Sequence, residues 1–138
     1  MRLDPIASAE RLASARFGVL GTVDPQRGTH LVPVVFALLD GHVVIPIDAV
    51  KPKSGALLRR LANLDVDPRA SLLVDHRSED WSELWWVRAD LHAVATDDDG
   101  PARAALAARY EPYRDPASVP SILTLRIDHI TGWSAADR

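Results

Sequence analysis

The chain has 138 residues, 47% of them hydrophobic and 25% charged, which suits a single domain with a core of its own. Its formal net charge of −3 speaks against a general nucleic-acid binder, which carries a basic excess. There is no cysteine, so disulfides, thiol catalysis and cysteine-ligated metals are excluded. The opening MRLDPIASAERLASARF is broken by charge and lacks the apolar core of a signal peptide, and no apolar run reaches the length of a membrane span. The expectation is a cytoplasmic protein with no membrane or nucleic-acid partner.

Asp4-Pro5 reads as an N-cap followed by proline at the first helical position. Ile6, Ala9, Leu12 and Ala13 recur at helical spacing and predict a helix over 5–15. Phe17–Val23 is a short apolar strand closed by the turn Asp24-Pro25-Gln26-Arg27-Gly28. Thr29–Leu39 is the next predicted strand, and Asp40-Gly41 is a two-residue hairpin signal leading into His42–Ile47. These three strands are expected to form an antiparallel meander. Pro33 cannot donate to a ladder and marks a bulge, an edge or a break. Leu31–Leu39 is apolar at every position, whereas a half-exposed strand alternates. Both of its faces are therefore expected to be covered, by a helix, a second subunit or a flat ligand. A subunit interface plus a ligand is the favoured reading, and a strand buried within one chain is the alternative.

The polar turn after Ile47 carries Lys51-Pro52-Lys53, which holds both lysines of the chain. A basic amphipathic helix with Arg59 and Arg60 is predicted over 54–64. Two ammonium groups at the mouth of a helix make a plausible seat for a phosphate. The plainer reading is a solvated basic turn. Asp67-Pro68 breaks the chain, Ala70–Asp75 is a fourth strand, and His76–Glu83 is an exposed acidic loop around Trp81. Leu84–Thr96 is a fifth strand, bent near Asp90. Trp85 and Trp86 are adjacent on it and point to opposite faces, so one of them faces something other than the interior. Pro101 opens a helix to about Tyr110, Glu111–Pro120 is a loop, and Ile122–Ile130 alternates as the last strand. The order predicts a mainly β, α+β fold: a six-stranded antiparallel barrel with helices at its ends, in one domain over 1–138.

Several kinds of chemistry lack their residues. The histidines His30, His42, His76, His92 and His129 show no i, i+4 zinc spacing, and Asp97-Asp98-Asp99-Gly100 lacks the alternating ligands and closing Glu of a calcium loop. No metal site is expected. Neither a dinucleotide glycine fingerprint, a P-loop nor a nucleophile elbow is present. What remains are parts for holding a large flat anion. Leu31–Phe36 offers an apolar platform, Lys51, Lys53, Arg59 and Arg60 offer cations, and Trp81, Trp85 and Trp86 offer aromatic surface, with packing as the competing role for the tryptophans.

The succession RGTHLVPVVFAL, DAVKPK, LLRRLANL, DPRASLLVDH, WWVRADLHAVA and GWSA resembles the split-barrel, pyridoxamine 5′-phosphate oxidase-like flavoproteins. Within them it is most similar to the branch of deazaflavin (F420)-dependent oxidoreductases. The resemblance implies a homodimer of six-stranded barrels of the FMN-binding split-barrel type, with two cofactor sites at the subunit interface. It implies that His30, Leu31, Val32, Pro33 and Val34 lie along the tricyclic ring and that Ile47 and Asp48 border it. Lys51 and Lys53 would meet the phosphate, supported by Arg59 or Arg60. Trp81, Trp86 and Arg88 would come from the fifth strand and its preceding loop, in the same or the other subunit. The implied activity is hydride transfer from reduced F420 to a small organic substrate. The alternatives are FMN in place of F420, as an oxidase or flavin reductase, and a non-catalytic cofactor or tetrapyrrole carrier. No catalytic side chain is assigned; His30 is considered as a proton donor against a plain polar role at a strand start.

Overall fold

A computed structural model describes residues 1–47, 55–119 and 121–136, with the backbone alone for 55–58. Helix α1 spans Pro5–Ser14, and Asp4 caps it as the sequence predicts, its carboxylate accepting the Ala7 N–H at 2.8 Å. Strands β1 (Gly18–Asp24), β2 (Gly28–Val34), β3 (Ala37–Leu39) and β4 (His42–Ile47) follow. Next come α2 (Gly55–Val66), β5 (Arg69–His76), β6 (Trp85–Ala93), α3 (Gly100–Arg109) and β7 (Ser121–Ser134). Short 3₁₀ turns occupy Trp81–Glu83, Glu111–Arg114 and Pro116–Ser118, the last two within the segment expected to be irregular.

Among the described residues the strands form one antiparallel sheet in the order β2-β1-β5-β6-β7-β4-β3, and it is not closed. Three expectations are corrected here. The stretch Thr29–Leu39 is two strands, so the described sheet has seven strands instead of six. The expected meander does not form, because β2 and β3 lie at opposite edges. The last strand runs on through Gly132 and Trp133.

The physical reason for the first two lies at Val35-Phe36. Pro33 offers no N–H, which suits β2 to an edge. Tyr110, at the end of α3, then pins the corner: its hydroxyl proton is shared between the carbonyl oxygens of Phe36 and Arg16, at 2.8 and 2.7 Å. The same oxygen accepts the Phe36 N–H at 3.4 Å. Two residues link Val34 to Ala37, so the two edges of the sheet approach each other at this end. The β3–β4 register pairs Ala37 with Val44; carried backward it would set Val34 level with Ile47, but the ladder stops at Ala37. The sheet therefore splits there.

The inner face is the main core, built by Leu20, Leu72, Val74, Val87, Ala89, Ile45 and Leu125 with Leu12 of α1 and Leu64 of α2. Gly132 on β7 lets α1 come close: a Cβ there would stand 2.4 Å from Ser8 Oγ. A second core lies on the outer face of β3 and β4, where Ala37 and Val44 meet Ala102, Leu106 and Tyr110 of α3. The bend expected near Asp90 is a bulge, where the register shifts between Asp90 and Leu91. Asp128 is the extra residue, and His92 Nδ1 lies 2.8 and 2.9 Å from its two carboxylate oxygens. No helix among the described residues is long and apolar enough to cross a membrane.

Candidate functional site

Strand β2 carries five of the residues assigned to the ring. Its side chains alternate. Val34 is buried and faces inward with Val32 and His30, while Leu31 is 66% exposed and faces outward with Pro33. The expectation that both faces of this run are covered holds for the β3 part, under α3. It fails for β2, whose outer face no described element covers.

His30 lies opposite Thr22 on β1. Thr22 is buried, and its hydroxyl accepts the Asn63 side-chain N–H at 3.0 Å. Asn63 thus ties α2 to the same end of the sheet. His30 Nδ1 and Asn63 Oδ1 are both buried without a hydrogen-bond partner among the described residues. One turn earlier on α2, Arg59 Nε stands 3.7 Å from Asp24 Oδ2, with its side chain 52% exposed. Asp24 is buried, and its Oδ1 accepts the N–H groups of Gln26 and Arg27 at 2.9 and 3.2 Å. The Gln26 N–H foremost, helped by that of Arg27 and by the Arg59 charge, holds this carboxyl below its ordinary range against the opposing pull of burial. Arg60 is buried, so within the arginine pair it is Arg59 that presents its guanidinium to solvent.

Trp86 and Arg88 lie together elsewhere. On β6, Val87 and Ala89 face the core, so Trp86, Arg88 and Asp90 face out. The Arg88 guanidinium sits 5.6 Å from the Trp86 ring centroid, and its Nε is 3.6 Å from Asp90 Oδ1. Trp85 takes the inner side, packed against the core under the Arg11 guanidinium. The opposite orientations expected of the two tryptophans are thus found. Trp81 is 76% exposed in the turn before β6. Ile47 ends β4, paired with Ser121. Asp48, Lys51 and Lys53 lie outside the described residues.

The ladder registers relate these groups. Arg88 is opposite Leu73, Leu73 opposite Val19, and Val19 opposite Pro33. This row crosses the outer face from β6 to β2, three strand spacings or roughly 14 Å. Within one chain Arg88 and Pro33 share a face but not a contact. Val19, Leu73 and the Thr22–Asn63 pair were not singled out from the sequence. The outward position of Leu73 follows from counting by twos along Ala70–Asp75, but the hydrogen bond between Thr22 and Asn63 joins residues far apart in the chain and leaves no local signal. Among the described residues no group of three or more His, Asp or Glu side chains is placed to hold a metal ion.

No protein-family model matches the sequence, and no curated protein matches it. Solved structures do. A conserved hypothetical protein of Mycobacterium tuberculosis, Rv2991, superposes with a TM-score of 0.74 at 21% identity, over 96% of this chain and 86% of that one. An FAD-binding protein of Mesorhizobium loti gives 0.67 at 18%, over 96% and 93%. A candidate pyridoxamine 5′-phosphate oxidase of Corynebacterium glutamicum gives 0.59 at 18%, over 97% and 98%. At these identities what is shared is the fold. It is the split barrel of the pyridoxamine 5′-phosphate oxidase-like proteins, mainly β with flanking helices.

Proposed function

We propose that this protein is a homodimeric oxidoreductase that binds deazaflavin F420 at its subunit interface and reduces a small organic substrate. The observation that carries the reading is the uncovered outer face. Leu31 and Pro33 stand at one side of it and Trp86 with Arg88 at the other, and the row Pro33, Val19, Leu73 and Arg88 runs between the two sides. One chain cannot bring them to one ring. A second copy laid face to face by a two-fold axis can set its Trp86 and Arg88 against the first copy's β2.

Of the five β2 residues assigned to the ring, Leu31 and Pro33 face this surface, while His30, Val32 and Val34 face inward. Arg59 exposes half of its side chain where an anionic tail needs a cation. When bound, reduced F420 supplies the hydride. The chain's own part is binding and orientation. Leu31 and Pro33 give a flat apolar rest, and Lys51 and Lys53 seat the phosphate. Arg59 and Arg88 meet the carboxylates of the tail, and the Trp86–Arg88 stack excludes water from the substrate side.

The test is a fluorescence titration of apo protein with F420 and with FMN, beside sedimentation at micromolar concentration. Saturable F420 binding with a mass near twice 15.1 kDa is expected. Tight FMN uptake with F420 ignored overturns the cofactor assignment, and a clean monomer removes the shared site.

A further inference from the structure

Away from that face, a cleft of about 250 Å³ opens between the β3–β4 turn, the start of α3 and strand β7. Its floor is apolar, made by Leu39, Val44, Val94 and Ala102. Of its two hydroxyl groups, that of Thr96 already donates to the Asp98 carbonyl oxygen, at 3.2 Å. His42 Nδ1 lies 2.9 Å from the Asp40 carbonyl oxygen, which only accepts, so Nδ1 carries a proton and Nε2 is the one ring nitrogen that can accept. Asp98 gives Oδ1 to the Gly100 N–H at 2.9 Å, and its other oxygen takes no hydrogen bond from the described residues. Its neighbour Asp99 is already paired with Arg103 at 3.0 Å. Thr124 Oγ1, in the cleft wall, is buried with no hydrogen-bond partner among the described residues. No lysine or arginine is among the described residues lining the cleft.

A carboxylate, an imidazole and a hydroxyl thus line one apolar cleft with no lysine or arginine among its described lining residues. We propose that this cleft binds a small organic ammonium ion, its N–H donors directed to Asp98, His42 and Thr124 and its apolar body laid on Leu39, Val44 and Val94. A hard metal ion is a poorer occupant, because it wants six or more oxygen ligands and gains nothing from the apolar floor. An anion would meet the carboxylates of Asp40 and Asp98. The volume lies below the roughly 300–1,000 Å³ of drug-sized sites, which sets the occupant at one ring or a short chain. The site is separate from the proposed cofactor face and stands whether or not that reading does.

The experiment is an NMR titration of ¹⁵N-labelled full-length protein with 2-phenylethylamine as its ammonium salt, and with 2-phenylethanol as the uncharged control. The amine is expected to shift the amides of Val44, Val94, Asp98 and Ala102 saturably, with a dissociation constant of about 1 mM or tighter. The alcohol should bind at least about tenfold more weakly, the loss of a charge-assisted contact. Asp98→Asn keeps the acceptor for the Gly100 N–H, so the fold is retained, and it should also lose about tenfold in amine affinity. Thr124→Val should weaken the amine without moving the alcohol. Absence of saturable shifts at these amides up to about 10 mM, equal binding of amine and alcohol, or an Asp98→Asn variant that binds as the native chain does would each overturn the proposal.

Discussion

Over β3 and β4 the outer face of the sheet is core. Helix α3 lays Ala102, Leu106 and Tyr110 on Ala37 and Val44, and all five are buried. Over β2, β1, β5 and β6 the same face of the same sheet carries Leu31, Leu73, Trp86 and Arg88 with no described element on top. Both halves offer apolar side chains on this face. What separates them is where α3 docks, and that is decided by the Tyr110 hydroxyl at the Phe36 corner and by the reciprocal bonds of Arg16 and Arg109. Arg16 donates to the Arg109 carbonyl at 2.6 Å, and Arg109 donates to the Ala15 carbonyl. Single exposed apolar residues are ordinary on a protein surface. Here Pro33, Val19 and Leu73 lie in register across three strands, and the row ends at Arg88, whose guanidinium sits over the Trp86 ring.

The largest expected effect comes from making the same change in both halves. Leu106→Ala removes a fully buried side chain under α3 and should cost about 2–5 kcal/mol in denaturant unfolding. Leu73→Ala, 38% exposed in the single chain, should cost the fold itself less than about 0.5 kcal/mol. Any further loss in that variant should depend on protein concentration, as the stability of a dimer does. Equal losses independent of concentration would show that the open half is already covered within one chain, and the comparison would fall.

Tyr110→Phe should come next. It deletes one oxygen that serves three backbone groups, two of them at the buried Phe36. Leaving these unsatisfied should cost about 1–3 kcal/mol with the ring packing kept. Hydrogen exchange should quicken at Phe36 and along α3, and not at β5 or β6. Quickening spread evenly over the sheet would deny the corner its role in seating α3.

These two variants also mark where the sequence stops being readable. Local rules reached the Asp4 cap, the Asp40-Gly41 turn, the bend at Asp90 and the opposed tryptophans, because each depends on neighbours within a few residues. Pro33 signalled a bulge, an edge or a break in this run, but not which of these, nor its place. The break at Val35-Phe36 is held by Tyr110, 74 residues on. The choice of edge partners for β2 and β3 was hidden for the same reason. For the site, counting by twos was enough to put Trp86 and Arg88 on one face and Trp85 on the other, but not to say which face is the outer one. Nor was it enough to show that Trp86 and Arg88 lie three strands from β2, since that distance depends on the order of the sheet.

The smallest expected effect tests whether charge distinguishes the halves as apolar cover does. At the start of β5, Asp67 grips Arg69 with both oxygens, at 3.0 Å to Nε and 2.7 Å to the terminal nitrogen. The hydrogen bonds of the Arg69 side chain, more than its charge, hold the Asp67 carboxyl down to about 2 from an ordinary 3.8. On the sealed half, the Arg103 side-chain contact likewise lowers Asp99. A carboxyl depressed in the folded state stabilises it fully above the unfolded value, and the contribution fades as pH falls through the folded one. Asp67→Asn keeps an acceptor for the Arg69 N–H but removes the charge. Its melting temperature should therefore lie slightly below that of the native chain from neutral pH down to about 3.8, and the gap should close by about pH 2. Asp99→Asn should show the same closing trend. Both pairs are solvent-accessible, so both gaps should be small and shrink with added salt. A gap in either variant that persists to about pH 2 would mean that the carboxylate acts through geometry and not charge. A large gap on the open half alone would move the distinction between the halves from apolar cover to electrostatics.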